Sequence, residues 1–142
     1  MWSDSLLAAE RQHLLRLLLW SALSIVAATS IFVILAARRA RSPLLVHFAL
    51  QTAAWGAVFG AIAIVQLGHL QLRDISGAVR LDRVLWMNIG LEVGYVLMGA
   101  AIALLGRALT RSMAAVGAGT AIVVQGLALL VIDLQFAALV SR

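Results

Sequence analysis

The stretch Val84–Gly106, VLWMNIGLEVGYVLMGAAIALLG, decides the fold of this chain. It is an apolar run with a single carboxylate, Glu92, and as a helix it is long enough to cross the roughly 30 Å hydrocarbon core of a bilayer. Three further runs of similar length and composition accompany it, so the sequence predicts four membrane-spanning helices. Their expected bounds are Leu17–Ala37, Leu44–Gly68, Val84–Gly106 and Met113–Val140.

The composition indicates a protein with almost no soluble part. Of the 142 residues, 63% are hydrophobic, and the mean hydropathy is +1.03, well above that of a soluble domain. The residues between the runs are too few for a second core, so residues 1–142 are expected to form one domain. The predicted fold class is an all-α membrane protein, a four-transmembrane-helix bundle of two antiparallel helical hairpins whose turns lie at 38–43 and 107–112.

Segments outside the four runs carry shorter patterns. Ser3–Arg16 has helical spacing of apolar residues and predicts a short N-terminal interfacial helix that leads into the first span. The longer connection His69–Arg83 contains a small apolar stripe, which predicts a surface-lying turn of helix. Pro43, the only proline, suits the first turn of the second span.

The basic residues predict a membrane location. All 11 are arginine, and most lie where the runs end, which is typical of membrane anchoring and not of nucleic-acid binding. We therefore expect the lipid bilayer as a partner, no nucleic acid, and a multi-pass protein of a bacterial cell (inner) membrane. Six arginines on the side of the termini oppose five on the other side, so the positive-inside rule gives no orientation and insertion in both directions stays open.

The two predicted hairpins share short phrases. Leu-Trp opens the first helix of each, and Arg-Ser closes each turn, as Arg41-Ser42 and Arg111-Ser112. Either an ancient duplication or chance similarity between apolar helices explains this.

Small residues predict close helix contacts. A spacing of four lets helix backbones approach closely in lipid, and both the second and the third run contain such glycine pairs. In the third run the glycines lie opposite the face that carries Glu92, so that span is expected to be buried on two sides, either centrally or against a second subunit. We expect a homo-oligomer or a larger membrane complex. The glycines are Gly56, Gly60, Gly90 and Gly94.

Glu92 is the strongest functional candidate. It lies about 12 Å into its run, where a charged side chain costs several kcal/mol unless it is paired, hydrated or protonated. Neighbouring turns of the helix and matching depth in the other spans place further polar residues near it. The same residues also fit a buried network that fixes helix register, and Asp133 taken alone also fits an interfacial position. The predicted polar, ligand or ion site contains Glu92, Asn88, Tyr95, Asp133, Gln66 and Arg16.

Other kinds of site have little support. The chain has no cysteine, and its three histidines are not at ligand spacing, so neither a metal nor a cofactor is predicted. No signature of catalysis is present, so an enzyme ranks third. The first hypothesis is a carboxylate-centred site that binds or moves a proton, a cation or a small amphipathic molecule. The alternative is a non-catalytic accessory or assembly subunit that packs against a larger membrane complex.

Three phrases of the sequence resemble an uncharacterised family of small bacterial proteins with four transmembrane helices. They are HFALQTAAWGAVFGAIAI, WMNIGLEVGYVLMGAAIAL and GAGTAIVVQGLALLVIDL, and the resemblance extends from His47 to about Leu134. In that family the acid after Gly-Leu is more often aspartate, so Glu92 keeps the charge but changes the reach. The resemblance implies the four-span fold and no activity. The matching residues are Asn88, Gly90, Leu91, Glu92, Tyr95, Gln125, Gly126 and Asp133.

Overall fold

Four helices account for nearly all of the chain. The structure, a computed structural model, describes the backbone of residues 2–140 and the side chains of residues 3–140. All four helices are long and apolar enough to span a membrane, and the described residues contain no strand, which confirms the predicted all-helical class. The helices are α1 (Trp2–Ala37), α2 (Pro43–Gly68), α3 (Ile75–Ala108) and α4 (Met113–Val140).

Two helices are longer than their predicted spans. The expected N-terminal interfacial helix is not a separate element, because α1 runs without a break from Trp2 to Ala37. The expected surface turn in the middle connection is instead the first part of α3, which begins at Ile75. Asp74 explains this early start, since its carboxylate accepts a hydrogen bond from the backbone N–H of Gly77 and so caps the helix.

The second helices of the two pairs begin in the same way. The Ser42 hydroxyl accepts the backbone N–H of Leu45 at 3.3 Å, and the Ser112 hydroxyl accepts that of Ala115 at 3.2 Å. Pro43 occupies the first turn of α2, as predicted. The likeness between the two turns therefore extends from sequence to capping geometry.

Helix α4 is the centre of the bundle. Its backbone packs against those of α1, α2 and α3, whereas the backbone of α3 packs against that of α4 alone, and α1 and α2 pack on each other. Leu129 of α4 meets Leu17 of α1 and Ala63 of α2 in one apolar cluster, and Phe136 of α4 meets Leu85 of α3 in another. Helices α2 and α3 therefore flank α4 without packing their backbones together, and a groove remains between them.

Glycines mark close contacts between several pairs of helices, among them α1 with α2 and α3 with α4. A methyl group built on Gly56 of α2 would lie 3.0 Å from the carbonyl oxygen of Ser21 on α1, and one on Gly60 would lie 3.4 Å from the Ser21 side chain. Between α3 and α4 the approach is closer, because the same construction on Gly119 comes within 2.5 Å of the Gly99 carbonyl oxygen. Only glycine fits at Gly119 with the backbones at this separation.

The predicted glycine face of α3 is open within this chain. Nothing lies within 4 Å of a methyl group built on Gly90 or Gly94. The expectation that α3 is central and buried on two sides is therefore wrong for the single chain, since one face meets α4 and the opposite face is exposed. Contact between subunits through this face stays a prediction.

Candidate functional site

The groove between α2 and α3 contains two adjoining cavities. The outer cavity, about 290 Å³, lies towards the start of α1 and α3 and includes the α2–α3 connection in its wall. The inner cavity, about 350 Å³, lies deeper in the bundle. The two share five wall residues, so they adjoin each other. The shared residues are His13, Gln66, Val84, Asn88 and Asp133.

An aromatic contact closes the inner end of the groove. The rings of Trp55 on α2 and Tyr95 on α3 lie 5.5 Å apart, and Trp55 also stacks on Phe59 at 5.3 Å. Tyr95 and Phe59 form part of the wall of the inner cavity. These side chains bridge two helices whose backbones do not meet.

Two buried carboxyl groups lie in the wall of the inner cavity. Glu92 of α3 and Asp133 of α4 are 5% and 6% exposed, and both line this one space. The Glu92 Oε2 atom is buried and has no hydrogen-bond partner among the described residues. Because an unpaired polar atom is costly in a dry interior, the pair is suited to a further proton or ligand.

His13 connects this pair to the outer cavity. Its Nε2 atom lies 3.7 Å from Asp133 Oδ1, slightly farther than a hydrogen bond, and its ring stacks on Phe136 with centroids 4.6 Å apart. The stacking fixes the plane of the imidazole beside the carboxyl group. His13 also forms part of the wall of both cavities, so it lies on the path between the acid pair and the end of the bundle.

An ion pair lies at the mouth of the outer cavity. The guanidinium of Arg73, in the α2–α3 connection, donates to the buried carboxylate of Glu10 on α1. Arg80 also faces this cavity from α3. Two arginines and one acid therefore lie at the mouth, whereas the inner cavity has two acids and no arginine in its wall.

The predicted site residues separate into two groups. Asn88, Tyr95 and Gln66 lie with Glu92 and Asp133 in the wall of the inner cavity. Arg16 is outside the walls of both cavities, because its guanidinium turns to the exposed side and donates to the Gln135 side-chain oxygen at 2.8 Å.

Three residues of the site were not among the predicted ones. They are His13, Glu10 and Arg73, and all lie outside the apolar runs, where a sequence gives no depth signal. For α1 the sequence did contain a signal, because Glu10, His13 and Leu17 recur at helical spacing and extend the helix of the first span towards the N-terminus. For Arg73 the sequence contains no such signal, since its position depends on the α2–α3 connection.

A second polar network lies deeper, between α1 and α4. The Trp20 indole N–H donates to the Gln125 side-chain oxygen at 2.8 Å, and the Gln125 amide donates to the Ser24 hydroxyl at 3.1 Å. Gln125 is 2% exposed. This network satisfies its buried polar atoms internally, so it is suited to fixing the register of the two helices rather than to binding.

Among the described residues, no group of three or more histidine, cysteine or acidic side chains could hold a metal ion. The chemistry that the groove offers is therefore that of carboxyl groups, an imidazole and aromatic rings. It can hold a proton or a cation in a partly open, largely apolar space.

The chain belongs to a family of unknown function (DUF6992), whose family model matches residues 16–134. The match confirms the uncharacterised family expected from the sequence, and it begins earlier, at Arg16, than the resemblance from His47 indicated. Neither the curated proteins nor the solved structures include a match to the chain. Its four apolar helices, each long enough to cross a bilayer, indicate a multi-pass membrane protein.

Proposed function

We propose that this membrane protein binds and releases a proton at the Glu92–Asp133 pair, which exchanges with the side of the membrane that the outer cavity faces. The observation that carries the proposal is that two buried carboxyl groups, Glu92 and Asp133, share the wall of one cavity. Two charged carboxylates in one dry space repel each other and have only acceptor atoms, so a proton held by the pair relieves the cost of their burial. The pair is thus a site for one exchangeable proton.

The surroundings support exchange from one side. His13 lies beside Asp133 in the wall of both cavities, and an imidazole can accept a proton at one ring nitrogen and donate one from the other. The inward end is closed by Trp55 and Tyr95. The other titratable side chains around the inner cavity are His13 of α1 and Tyr95 of α3. Glu10, Arg73 and Arg80 lie at the mouth of the outer cavity.

Infrared difference spectroscopy of the purified protein in lipid tests this proposal directly. Wild type should show the C=O stretch of a protonated carboxyl group, which changes with pH and shifts in D₂O. The band should disappear in Glu92→Gln and in Asp133→Asn. Asp82→Asn is the matched control, because Asp82 is an exposed carboxylate of the same helix outside both cavities, and it should retain the band. A wild type without the band, or a band that survives both site variants, contradicts the proposal.

A second candidate function, an accessory or assembly subunit, has support from the exposed face of α3. Gly90 and Gly94 are four residues apart, and nothing in the chain packs on them. Such a pair of glycines offers a surface on which another helix can pack in lipid. Purification in mild detergent separates the candidates. A self-oligomer alone favours the proton site as the main role, whereas a stoichiometric larger partner favours the accessory role. We also propose the bacterial inner membrane as the location, which fractionation of the cell envelope tests.

A further inference from the structure

We propose that the inner cavity binds a hydrophobic ammonium cation, which enters from the lipid between α2 and α3 and displaces the proton of the carboxyl pair. This inference rests on the proposed proton site and names its ligand class. Three observations carry it: the charge of the cavity, its aromatic wall, and the gap between the two helices.

The charge of the inner cavity selects a cation. Glu92 and Asp133 are its only acids, and no arginine lies in its wall. Arg73 of the α2–α3 connection and Arg16 of α1 are engaged elsewhere, since Arg73 pairs with Glu10 and Arg16 donates to Gln135. The buried Oε2 atom of Glu92 has no partner among the described residues, so one acceptor is free for an incoming charge. Buried charges require such compensation.

The wall of the inner cavity suits an organic cation better than a hydrated metal ion. Phe59 and Tyr95 face the space together with Leu17, Ile62 and Leu129. Aromatic faces attract ammonium groups, most strongly where water is excluded. A volume of about 350 Å³ is in the range of small-molecule sites, which are largely apolar with a few polar groups.

The gap between α2 and α3 gives the ligand its route. Their backbones do not pack together, and the side chains at the rim are apolar and exposed, with Ile62 39% exposed and Leu91 48% exposed. In a membrane this rim faces lipid tails. An apolar molecule dissolved in the bilayer can therefore pass the rim and meet the acids from the side, without crossing the basic mouth at Arg73 and Arg80.

The proposed exchange balances in charge and protons. The pair holds one proton in its free state, and the entering cation takes the place of that proton, one positive charge for another, so the net charge of the site is unchanged. The proton then leaves past His13 to the outer cavity. No bond to carbon forms or breaks, and no other reactant is required.

Calorimetric titration of the detergent-solubilised full chain tests the proposal. The probe is benzyltrimethylammonium, a permanent cation that cannot carry a proton away. Neopentylbenzene, its uncharged carbon isostere, and 4-phenylbutyrate, an anion, are the comparison ligands. Titrations in two buffers with different ionisation enthalpies should show about one proton released for each cation bound. Neither comparison ligand should release a proton.

Two pairs of variants locate the site. Glu92→Gln should weaken binding of the cation by roughly thirtyfold or more, as expected when one partner of a buried charge pair is removed. Asp82→Asn should leave binding unchanged. Ile62→Trp should slow entry by filling the rim, whereas Ile64→Trp, on a 61% exposed residue outside the groove, should not.

The result that overturns the inference is specific. Absence of saturable cation binding, binding without proton release, or equal binding of neopentylbenzene would each contradict it. If the carboxyl band in the infrared spectrum persists in that case, the proton site stands without a cation ligand. If the band is also absent, both proposals fail together.

Discussion

The tight contact between α3 and α4 permits a quantitative test with a matched pair of variants. A methyl group on Gly119 would lie 2.5 Å from the Gly99 carbonyl oxygen and 2.6 Å from the Ala103 backbone nitrogen. These are backbone atoms, so no side-chain rotation can relieve the overlap. Ordinary contact begins at 3.4 Å, and the helices must therefore separate locally by about 0.9 Å, the difference between 3.4 and 2.5 Å. Gly94→Ala meets nothing within 4 Å and is the control.

The expected free-energy difference follows from two opposing effects. Overpacking of a well-packed contact typically costs roughly 1–3 kcal/mol. Glycine to alanine in a helix interior restores roughly 1 kcal/mol of helix propensity, which applies equally to both variants. The propensity gain cancels in the comparison, so Gly119→Ala should be less stable than Gly94→Ala by roughly 1–3 kcal/mol.

Thermal unfolding monitored by circular dichroism in one detergent measures this difference. Gly119→Ala should melt below wild type or close to it, and Gly94→Ala at or above wild type. If Gly119→Ala melts as high as Gly94→Ala, the close approach of α3 to α4 is not present in the folded protein, and the reasoning is refuted. A lowered melting temperature for Gly94→Ala would instead show that another subunit covers that face.

Three further predictions concern single polar residues. Glu92→Leu should destabilise the protein by roughly 1–3 kcal/mol through unsatisfied partners, whereas Glu92→Gln should not, as measured by thermal melting; equal losses would contradict this. Gln125→Leu should leave the Trp20 indole N–H without its acceptor and change the tryptophan emission spectrum, and an unchanged spectrum would argue against that bond. The N–H of Gly77, followed by the Ser76 hydroxyl, holds the pKa of Asp74 below its ordinary value. Asp74 should therefore stabilise the start of α3 above the ordinary pKa and lose this effect as the pH falls through its lowered pKa, seen as faster amide exchange at Gly77; Asp74→Asn should remove this pH dependence.

The fold was largely predictable because bilayer thickness sets the length of an apolar run. Hydropathy marks where a helix enters hydrocarbon, and Pro43 marked the start of α2 correctly. Hydropathy does not show where a helix begins or ends outside the hydrocarbon, in water. Ile75–Arg83 was therefore assigned to a connection, although the Asp74 cap begins α3 there. The unbroken α1 was divided for the same reason.

The candidate site was predictable only in part, because depth along a helix is simpler to read than direction around the bundle. Depth brought Glu92 and Asp133 to the same level, and the structure places both in the wall of one cavity. Depth also put Arg16 at that level, yet its side chain turns away to Gln135. The spacing of Gly90 and Gly94 correctly separated two faces of α3, but it could not show which face another helix covers.

The central position of α4 has a consequence for how the chain is assembled in the membrane. Translation produces α1, α2 and α3 first, and α1 and α2 can associate as soon as both have been inserted. The backbone of α3 packs on neither of them, so most of the surface that α3 buries becomes covered only when α4 follows. We therefore expect a nascent chain halted before Met113 to lack the helix that covers the Glu92 face of α3.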